Sequence, residues 1–458
     1  MNYHEFLRAK EVRILPSGFT VAENSLSTAA FDWQRHVVAW SLRRGKAAFF
    51  EDCGLGKTLQ QLMWAEQVSA YTDKPVLIIA PLAVAPQTKL EGLKFGIAVN
   101  ICETQADVGR GINITNYEKL DKFSANSFSG VVLDESSILK SYMGKTKRMI
   151  VDKFADTPYR LACTATPAPN DLMELLNHAE FLGIMKSSEA LAMWFIADQS
   201  ESGKYRLKGH AERDFWQWVS SWAVCISKPS DIGYSDEGYD LPPLYETDEV
   251  VGNSDSITAF ADIARQLDMS ATGYHKERRN TLKARCAKAA EIVTSDADQH
   301  VIWCGMNDEA DELKRLLPDA VEIRGSDKAL KKEQAAVDFV NGDIRVLISK
   351  PTIFGYGLNF QNCHKSTFCG MDYSFENYYQ AVRRFYRFGQ KNAVEITRVL
   401  GDTEMNILNT INRKANTKSH MQHSMAEAMK EFQTNNSTAF QLDLTEKTYK
   451  MPTWLKGA

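Results

Sequence analysis

The sequence predicts an α/β protein built from two parallel β-sheets, each flanked by helices, that follow one another along the chain. The chain has 458 residues, a length that suits two or three domains. Short continuous apolar runs, typical of strands buried on both faces, alternate with helical patterns such as Thr58–Ala70. These runs form two series, and the region between them, about residues 170–295, has a different pattern. We therefore expect two domains in tandem.

The predicted strands define the two domains. The first series comprises Ala47–Phe50, Val76–Ala80, Val131–Leu133 and Tyr159–Thr164, and the second comprises His300–Met306, Ile344–Lys350, Thr367–Met371 and Val394–Leu400. The prolines of Leu241-Pro242-Pro243 indicate a boundary, because proline stops helices and stiffens links. We expect an N-terminal domain over residues 1–240, with a helical insertion over about residues 183–240. A C-terminal domain with a tail would take residues 241–458.

Two features of the middle region allow different interpretations. Trp216, Trp218 and Trp222 fit a helical core better than base stacking, since tryptophan is buried in most proteins. The stretch Lys276–Lys288 is locally basic and helical in pattern. A solvated helix face is favoured there over a face that follows phosphates.

Composition is that of a globular protein, with 44% hydrophobic and 24% charged residues. No apolar run is long enough to cross a bilayer, and the N-terminus does not resemble a signal peptide, so we expect no membrane association and a cytoplasmic location. The eight cysteines occur singly, which argues against zinc. Because the net charge is -4, binding to a nucleic acid would require a local basic surface.

A glycine turn between a strand and a helix is the strongest candidate site. In Asp52-Cys53-Gly54-Leu55-Gly56-Lys57-Thr58, Gly54 and Gly56 allow backbone N–H groups to close around an anion. Lys57 can reach the outer phosphates of a nucleotide, and the Thr58 hydroxyl suits Mg²⁺. Glu51 stands where the strict phosphate-loop pattern has a glycine. An ordinary glycine turn is the alternative, but the sequence favours a nucleotide site.

Two carboxylates end the predicted strand Val131–Leu133. A nucleoside triphosphatase needs one acid to hold Mg²⁺ and a second to orient and deprotonate water. We assign the metal to Asp134 and the general base to Glu135. Thr164 and Thr166 follow the next strand and could signal the state of these acids, although turn residues are equally common there.

Further candidates lie at both ends of the chain. Gln34 begins a helical pattern, and its amide could read an adenine edge or simply start the helix. Arg384 and Arg387 lie three residues apart, hence on one helix face, where two guanidinium groups suit phosphate oxygens. Charged surface helices also show this spacing.

Seven segments, in order, resemble the motifs of helicase superfamily two, and within it the Swi/Snf-type ATP-dependent DNA translocases. The similarity runs from about Phe31 to Lys418. The matching segments are Asp52–Thr58, Ala80–Val84, Ile114–Glu118, Cys163–Asn177, Ile323–Ser326, Gly355–Asn359 and Gln380–Gln390.

The resemblance implies two RecA-like domains with ATP and Mg²⁺ in the cleft between them. It places Gln34 on the adenine, Gln380 near the γ-phosphate, and Arg384 and Arg387 at the phosphates. It also implies contacts with the DNA backbone for a further set of residues, namely Pro81, Thr115, Asn116, Gly325 and Asn359.

The chain departs from the family pattern in two places. The family usually has Asp-Glu-x-His at its second motif, whereas this chain has Asp134-Glu135-Ser136-Ser137, so the coupling role of the histidine would pass to Ser137 or elsewhere. The segment between the third and fourth motifs is compact, which argues against work on nucleosomes. A minimal motor of this size resembles a bacterial or phage protein.

These observations predict an ATP-dependent motor that translocates on duplex DNA without sequence specificity. A strand-separating or branch-migrating helicase is the first alternative, and an ATP-switched DNA-binding or loading factor is the second. Strand separation needs a pin, for which Lys204–Lys208 is a candidate, although a plain exposed loop is favoured there.

Overall fold

The computed structural model describes residues 12–82, 84–198, 204–252, 278–354, 359–401, 404–434 and 440–442. Two parallel sheets flanked by helices dominate the fold, as the sequence predicts. None of the helices in these ranges is both long enough and apolar enough to cross a membrane.

The first sheet has seven strands in the order β10-β2-β7-β6-β3-β5-β4, and each neighbouring pair is parallel. The strands of this half, including the separate pair β8–β9 and the terminal strand β1, are β1 Val12–Ile14, β2 Lys46–Glu51, β3 Val76–Ala80, β4 Val99–Ile101, β5 Ile112–Asn116, β6 Gly130–Asp134, β7 Tyr159–Cys163, β8 Phe195–Ala197, β9 Tyr205–Leu207 and β10 Ala223–Ile226.

The second sheet has six parallel strands in the order β11-β16-β15-β12-β14-β13. Its strands, followed by the short C-terminal strand, are β11 Leu244–Val251, β12 His300–Cys304, β13 Val321–Glu322, β14 Val346–Ser349, β15 Lys365–Cys369, β16 Val394–Gly401 and β17 Phe440–Leu442.

The helices cover both faces of each sheet. They are α1 Asp32–Arg44, α2 Lys57–Thr72, α3 Ala85–Lys94, α4 Lys145–Lys153, α5 Glu174–Leu182, α6 Ser187–Trp194, α7 Glu212–Ser220, α8 Leu282–Thr294, α9 Asn307–Leu316, α10 Ala329–Asn341, α11 Pro351–Phe354, α12 Phe375–Val382 and α13 Met405–Thr434. Each sheet has one apolar cluster on each of its two faces.

The middle region is more than a helical insertion. Its strand β10 pairs with β2 and so becomes an edge of the first sheet, while β8 and β9 form an antiparallel hairpin. The three tryptophans are buried in the core beside that sheet, which confirms their predicted place. The candidate pin Lys204–Lys208 contains β9, and the Lys208 ammonium donates to the carbonyls of Ala192 and Met193.

The long helix α13 connects the two halves of the molecule. Ile407, Leu408 and Ile411 near its start are buried in the core of the second sheet. Met421 and Met425 further along are buried in the core of the first. The division at residue 240 therefore separates the two sheets but assigns α13 to only one of the halves it joins.

Candidate active site

The glycine turn lies where β2 ends and α2 begins, at the carboxyl edge of the first sheet. Gly54 and Gly56 have φ of 89° and 78°, which side chains with a Cβ rarely adopt. A Cβ on Gly54 would lie 3.0 Å from the Phe388 amide nitrogen and 3.3 Å from the Arg387 Cβ. The second half of the chain therefore packs directly against this turn, with room only for glycine.

Lys57 is held inside the turn by backbone oxygens. Its ammonium donates to the carbonyls of Glu51 and Asp52 at 2.8 and 2.9 Å. Burial alone would lower the pKa of this lysine, but nearby groups that include Glu135 raise it. Lys57 is thus a charged group, held at the cavity by neutral acceptors.

Glu51, which replaces the expected glycine, is buried beneath the turn. One of its oxygens accepts a hydrogen bond from the Gln60 amide at 2.7 Å, and burial raises the pKa of the carboxyl group to about 7. The side chain supports the start of α2 from below, so the missing glycine does not obstruct the anion-binding face.

The two acids at the end of β6, Asp134 and Glu135, line the same cavity as Lys57. Asp134 accepts from the Gln61 amide at 2.8 Å, and the Tyr117 hydroxyl donates to its backbone carbonyl at 2.7 Å. Glu135 has φ of 52°, a left-handed conformation that is uncommon for a residue other than glycine. Burial and the neighbouring Asp134 raise the pKa of Glu135 to about 7.

Thr164 connects the Glu135 carboxylate with the loop after β7. Its hydroxyl donates to Glu135 at 3.2 Å and accepts from the Thr166 amide at 3.1 Å. This is the contact that a coupling role requires, although the role itself stays a prediction. The Thr166 hydroxyl is buried and has no hydrogen-bond partner within the described ranges.

Gln34 lies against the same turn. Its amide nitrogen donates to the Leu55 carbonyl at 2.8 Å, and its oxygen accepts from the Phe31 amide at 3.0 Å. Both ends of the amide are therefore engaged by the protein. Contact with an adenine, as predicted, would require the side chain to exchange one of these bonds.

The second half contributes Gln380, Arg384 and Arg387. They line, together with Lys57 and Glu135, one cavity of about 190 Å³. Gln380 donates to Glu135 at 3.4 Å, and the charge of Arg384 lowers the pKa of that carboxyl group.

Arg387 donates through one nitrogen to the Asn359 side chain. Its Nε is buried and, within the described ranges, has no hydrogen-bond partner. The structure thus brings the two predicted halves of the site together.

Sequence reasoning missed the arginine that makes the most direct contact with the turn. Arg383 and the Tyr379 hydroxyl both donate to Asp52, and the Lys418 ammonium of α13 lies 3.4 Å from the same carboxylate. Burial would raise the pKa of Asp52, but Arg383 and the other donors hold it well below its usual range. The available signal was the pair Arg383-Arg384, of which only the second was considered.

A second contact across the cavity starts from the position of the family histidine. The Ser137 hydroxyl donates to Glu376 at 2.5 Å, and the Lys140 ammonium donates to the other oxygen of that carboxylate at 2.5 Å. Glu376 is 3% exposed, so the contact is shielded from water. Ser137 therefore contacts the second half, while the coupling role that would pass to it or to another residue stays a prediction.

The predicted DNA-contacting residues are dispersed. Pro81 is half-buried after β3, and Gly325 is exposed in a turn after β13. Thr115 is 2% exposed and donates to the Cys102 carbonyl, so a direct contact with DNA is inconsistent with its position. Asn116 is nearly buried, and Asn359 lies in the cavity beside Arg387 rather than on an outer surface. The contacts predicted for these three residues therefore need revision, because Thr115 and Asn116 have little exposed surface and Asn359 belongs to the cavity.

The residues present fit a nucleoside triphosphate with a divalent metal. The glycine turn leaves no room for a Cβ at Gly54, and the cavity is lined by lysine and arginine side chains. Among the residues that the structure describes, the Arg387 Nε has no hydrogen-bond partner and could donate to a phosphate. Thr58 and Asp134 line the same cavity and supply the oxygen ligands that Mg²⁺ prefers.

Two family descriptions match the chain. The SNF2-related domain matches residues 33–208, and the helicase conserved C-terminal domain matches residues 284–389. Together they account for more than half of the sequence and include both sides of the cavity.

Curated relatives fall into two kinds. The ATP-dependent helicase brm of Drosophila melanogaster is 29% identical over 178 residues, which cover 34% of this chain and 11% of that protein. Protein p41 of Acyrthosiphon pisum secondary endosymbiont phage 1 is 24% identical over 442 residues, which cover 82% of this chain and 93% of that protein. The chain therefore spans about a tenth of the first relative but nearly all of the phage protein.

A solved structure agrees in fold. A fragment of an HsdR subunit of a type I restriction enzyme from Vibrio vulnificus YJ016 aligns with a TM-score of 0.51 at 15% identity, covering 85% of this chain and 68% of that chain. Tandem RecA-like domains, the matching family descriptions and the shared cavity lead to one assignment. The chain belongs to the SNF2-like branch of helicase superfamily two.

Proposed function

We propose that this protein is an ATP-driven motor that translocates on double-stranded DNA. The observation that carries the proposal is the single cavity lined by Lys57 and Glu135 from one half and by Arg384 and Arg387 from the other. Hydrolysis would then require the two halves to be together, and its completion would allow them to part. Such alternation is what a motor needs.

Each residue has a distinct role in hydrolysis. The backbone N–H groups around Gly54 and Gly56, with Lys57, bind the phosphates. Glu135 orients the attacking water and accepts its proton, and Gln380 beside it fixes the carboxylate. Arg384 and Arg387 stabilise the negative charge that develops on the transferred phosphoryl group. Thr58 and Asp134 would hold Mg²⁺, which would neutralise part of the negative charge of the phosphates.

Thr164 gives the hydrolytic site a route to the rest of the first half. Its hydroxyl contacts both Glu135 and the loop after β7, so a movement of the Glu135 carboxylate would displace that loop. We propose Thr164 and Thr166 as the coupling residues. Pro81 and Gly325 remain proposed contacts with the DNA backbone, one from each half, which suits movement of one half relative to the other.

Backbone contacts give grip without sequence specificity. Because they displace counterions, DNA affinity should fall steeply with salt, by about 10³–10⁵ between 50 and 200 mM for six to ten phosphate contacts. We also propose that the protein acts in the cytoplasm of a bacterial or phage-infected cell, since a relative that matches 82% of the chain is a phage protein.

The test combines ATPase rates on duplex, single-stranded and forked DNA with triplex displacement and strand separation. We expect stimulation by duplex DNA and triplex displacement without unwinding. Efficient unwinding would favour the strand-separating alternative. DNA binding that depends on ATP without turnover would favour the switch.

The Glu135→Gln variant should bind ATP and DNA but show no triplex displacement. Glu291→Gln, which changes an exposed glutamate on α8, is the matched control. Turnover in Glu135→Gln close to that of the wild type would refute the assignment of the base.

A further inference from the structure

One face of α12 faces the loops of the first half. Glu376, Tyr379 and Gln380 lie on one side of α12, and Arg383, three residues further on, is the residue that ends the helix on the same side. Each of the four contacts a residue that follows a strand of the first sheet. Of these four side chains, only Gln380 has a role in the proposed hydrolysis.

The first set of contacts holds the end of α12 that leads into Arg384. Arg383 and Tyr379 donate to Asp52, and the Arg383 guanidinium also lies 5.2 Å from the ring centres of Tyr379 and Tyr386. The Lys418 ammonium approaches both Asp52 and the Tyr379 ring. The guanidinium of Arg383 is thus enclosed by Asp52, Tyr379 and Tyr386, and it already donates to a carboxylate of the protein.

The second set of contacts holds the start of the same helix. Glu376 is buried, and its two carboxylate oxygens accept separately from Ser137 and Lys140. Ser137 is two residues from Glu135 in sequence. One carboxylate of the second half is therefore tied to the segment that carries the general base.

We propose that these two sets of contacts are clamps that position α12 across the cleft, and that Asp52, Arg383, Glu376, Ser137 and Lys140 are positioning residues for hydrolysis. The proposal rests on the ATPase function proposed above. Gln380 lies between Glu376 of the second clamp and Arg383 of the first, and Arg384 and Arg387 follow the first clamp directly. A helix held at both ends fixes all three groups relative to the phosphates, and loss of either clamp lets them drift.

A positioning role predicts a particular kinetic pattern. A shift of about 1 Å in catalytic groups costs roughly a hundredfold in rate, whereas substrate binding depends mainly on the phosphate turn. Arg383→Gln should therefore lower kcat about ten- to a hundredfold and change KM for ATP by less than about threefold. If Arg383 instead released Asp52 and bound a phosphate of ATP, the KM of Arg383→Gln for ATP would rise strongly. That result would overturn the proposal.

A double-mutant cycle tests the first clamp. Because Asp52→Asn and Arg383→Gln break the same contact, the double variant should be no slower than the slower single variant. Multiplying losses would show independent roles and overturn the clamp. Arg315→Ala on α9, where an exposed arginine pairs with Glu312, is the matched control for charge removal.

Lys140→Met and Ser137→Ala test the second clamp with little risk to folding, since the lysine side chain is 43% exposed and the serine is small. We expect each to lower kcat about three- to tenfold with KM nearly unchanged. Exposed Lys391→Met is the control for the lysine variant. Wild-type kcat in both clamp variants would overturn the second clamp.

Small-angle X-ray scattering separates this proposal from the proposed function. The nucleotide-free double variant Glu376→Gln/Arg383→Gln should have a larger radius of gyration than the wild type and Arg315→Ala. An unchanged radius would overturn the clamps even if the wild type hydrolyses ATP. Absence of ATPase activity in the wild type, with a larger radius in the double variant, would overturn the proposed function and leave the clamps standing.

Discussion

Gly54→Ala is the substitution for which the structure gives the clearest expectation. The new Cβ meets backbone strain, because φ is 89°, and it meets the second half of the molecule at 3.0 and 3.3 Å, closer than ordinary contact. A left-handed residue with a Cβ costs about 1–2 kcal/mol. At about 1.4 kcal/mol per factor of ten, strain alone reduces the nucleotide-competent turn about five- to thirtyfold.

Steric contact adds to the strain. Phe388 and Arg387 must move away by several tenths of an ångström, and Arg387 is the group proposed to stabilise the transition state. We expect kcat/KM for ATP to fall by roughly a hundredfold or more in Gly54→Ala. Steady-state ATPase measurements with duplex DNA, alongside thermal unfolding, give both numbers.

Gly342 offers a matched control. Its φ is 90°, but a Cβ there would have no atom within 4 Å. Gly342→Ala should therefore lower thermal stability through strain while kcat/KM stays within about twofold of the wild type. If Gly54→Ala and Gly342→Ala had equal turnover, the reasoning that Arg387 packs against the turn would be refuted.

Three further predictions concern substitutions, two at the site and one at a buried histidine of the second sheet. Arg387→Ala should bind ATP yet hydrolyse it about a thousandfold more slowly, as expected for an arginine finger; near-normal single-turnover rates would contradict that role. Thr164→Val should keep ATP binding but lose much of the stimulation by DNA, and stimulation equal to the wild type would remove Thr164 from the coupling path. His300 is buried, and burial lowers its pKa to about 4, below the unfolded value, so its contribution to stability is lost as pH falls from about 6.5 to 4. In urea titrations across that range, His300→Gln should show a shallower loss than the wild type, whereas exposed His423→Gln should match the wild type.

Strands buried on both faces could be predicted because their composition is decided by burial alone. Val76–Ala80 was predicted with its exact bounds, and the other seven predicted strands differ from the structure by at most a few residues. β11 does not stand out in the sequence because it is an edge strand in which Glu246, Asp248 and Glu249 interrupt any continuous apolar run.

Long-range partners account for what the sequence could not reveal. Arg278 and Arg285 read as part of a solvated basic helix, yet they are 4% and 0% exposed. Both pair with Glu309, a carboxylate that lies far away in the sequence. Local charge pattern cannot show such a partner, and the free energy of burying a guanidinium is acceptable only because the partner is there.

The three neighbouring arginines of the second half illustrate the same limit at the site itself. Helical spacing selects Arg384 and Arg387 but does not say what each guanidinium holds before nucleotide arrives. Arg387 holds a neutral amide oxygen, so a phosphate oxygen, which carries more charge, is the better partner and can replace it.

Arg383 already holds a carboxylate, so the same exchange would take the guanidinium partner away from buried Asp52 and leave it only the Tyr379 hydroxyl and the Lys418 ammonium, which is unfavourable for a buried charge. Lys57, bound to two carbonyls, resembles Arg387 in this respect. Nucleotide can therefore recruit Lys57 and Arg387, whereas Arg383 stays on the protein. That division, rather than the number of arginines, determines which side chains move when the cleft binds ATP.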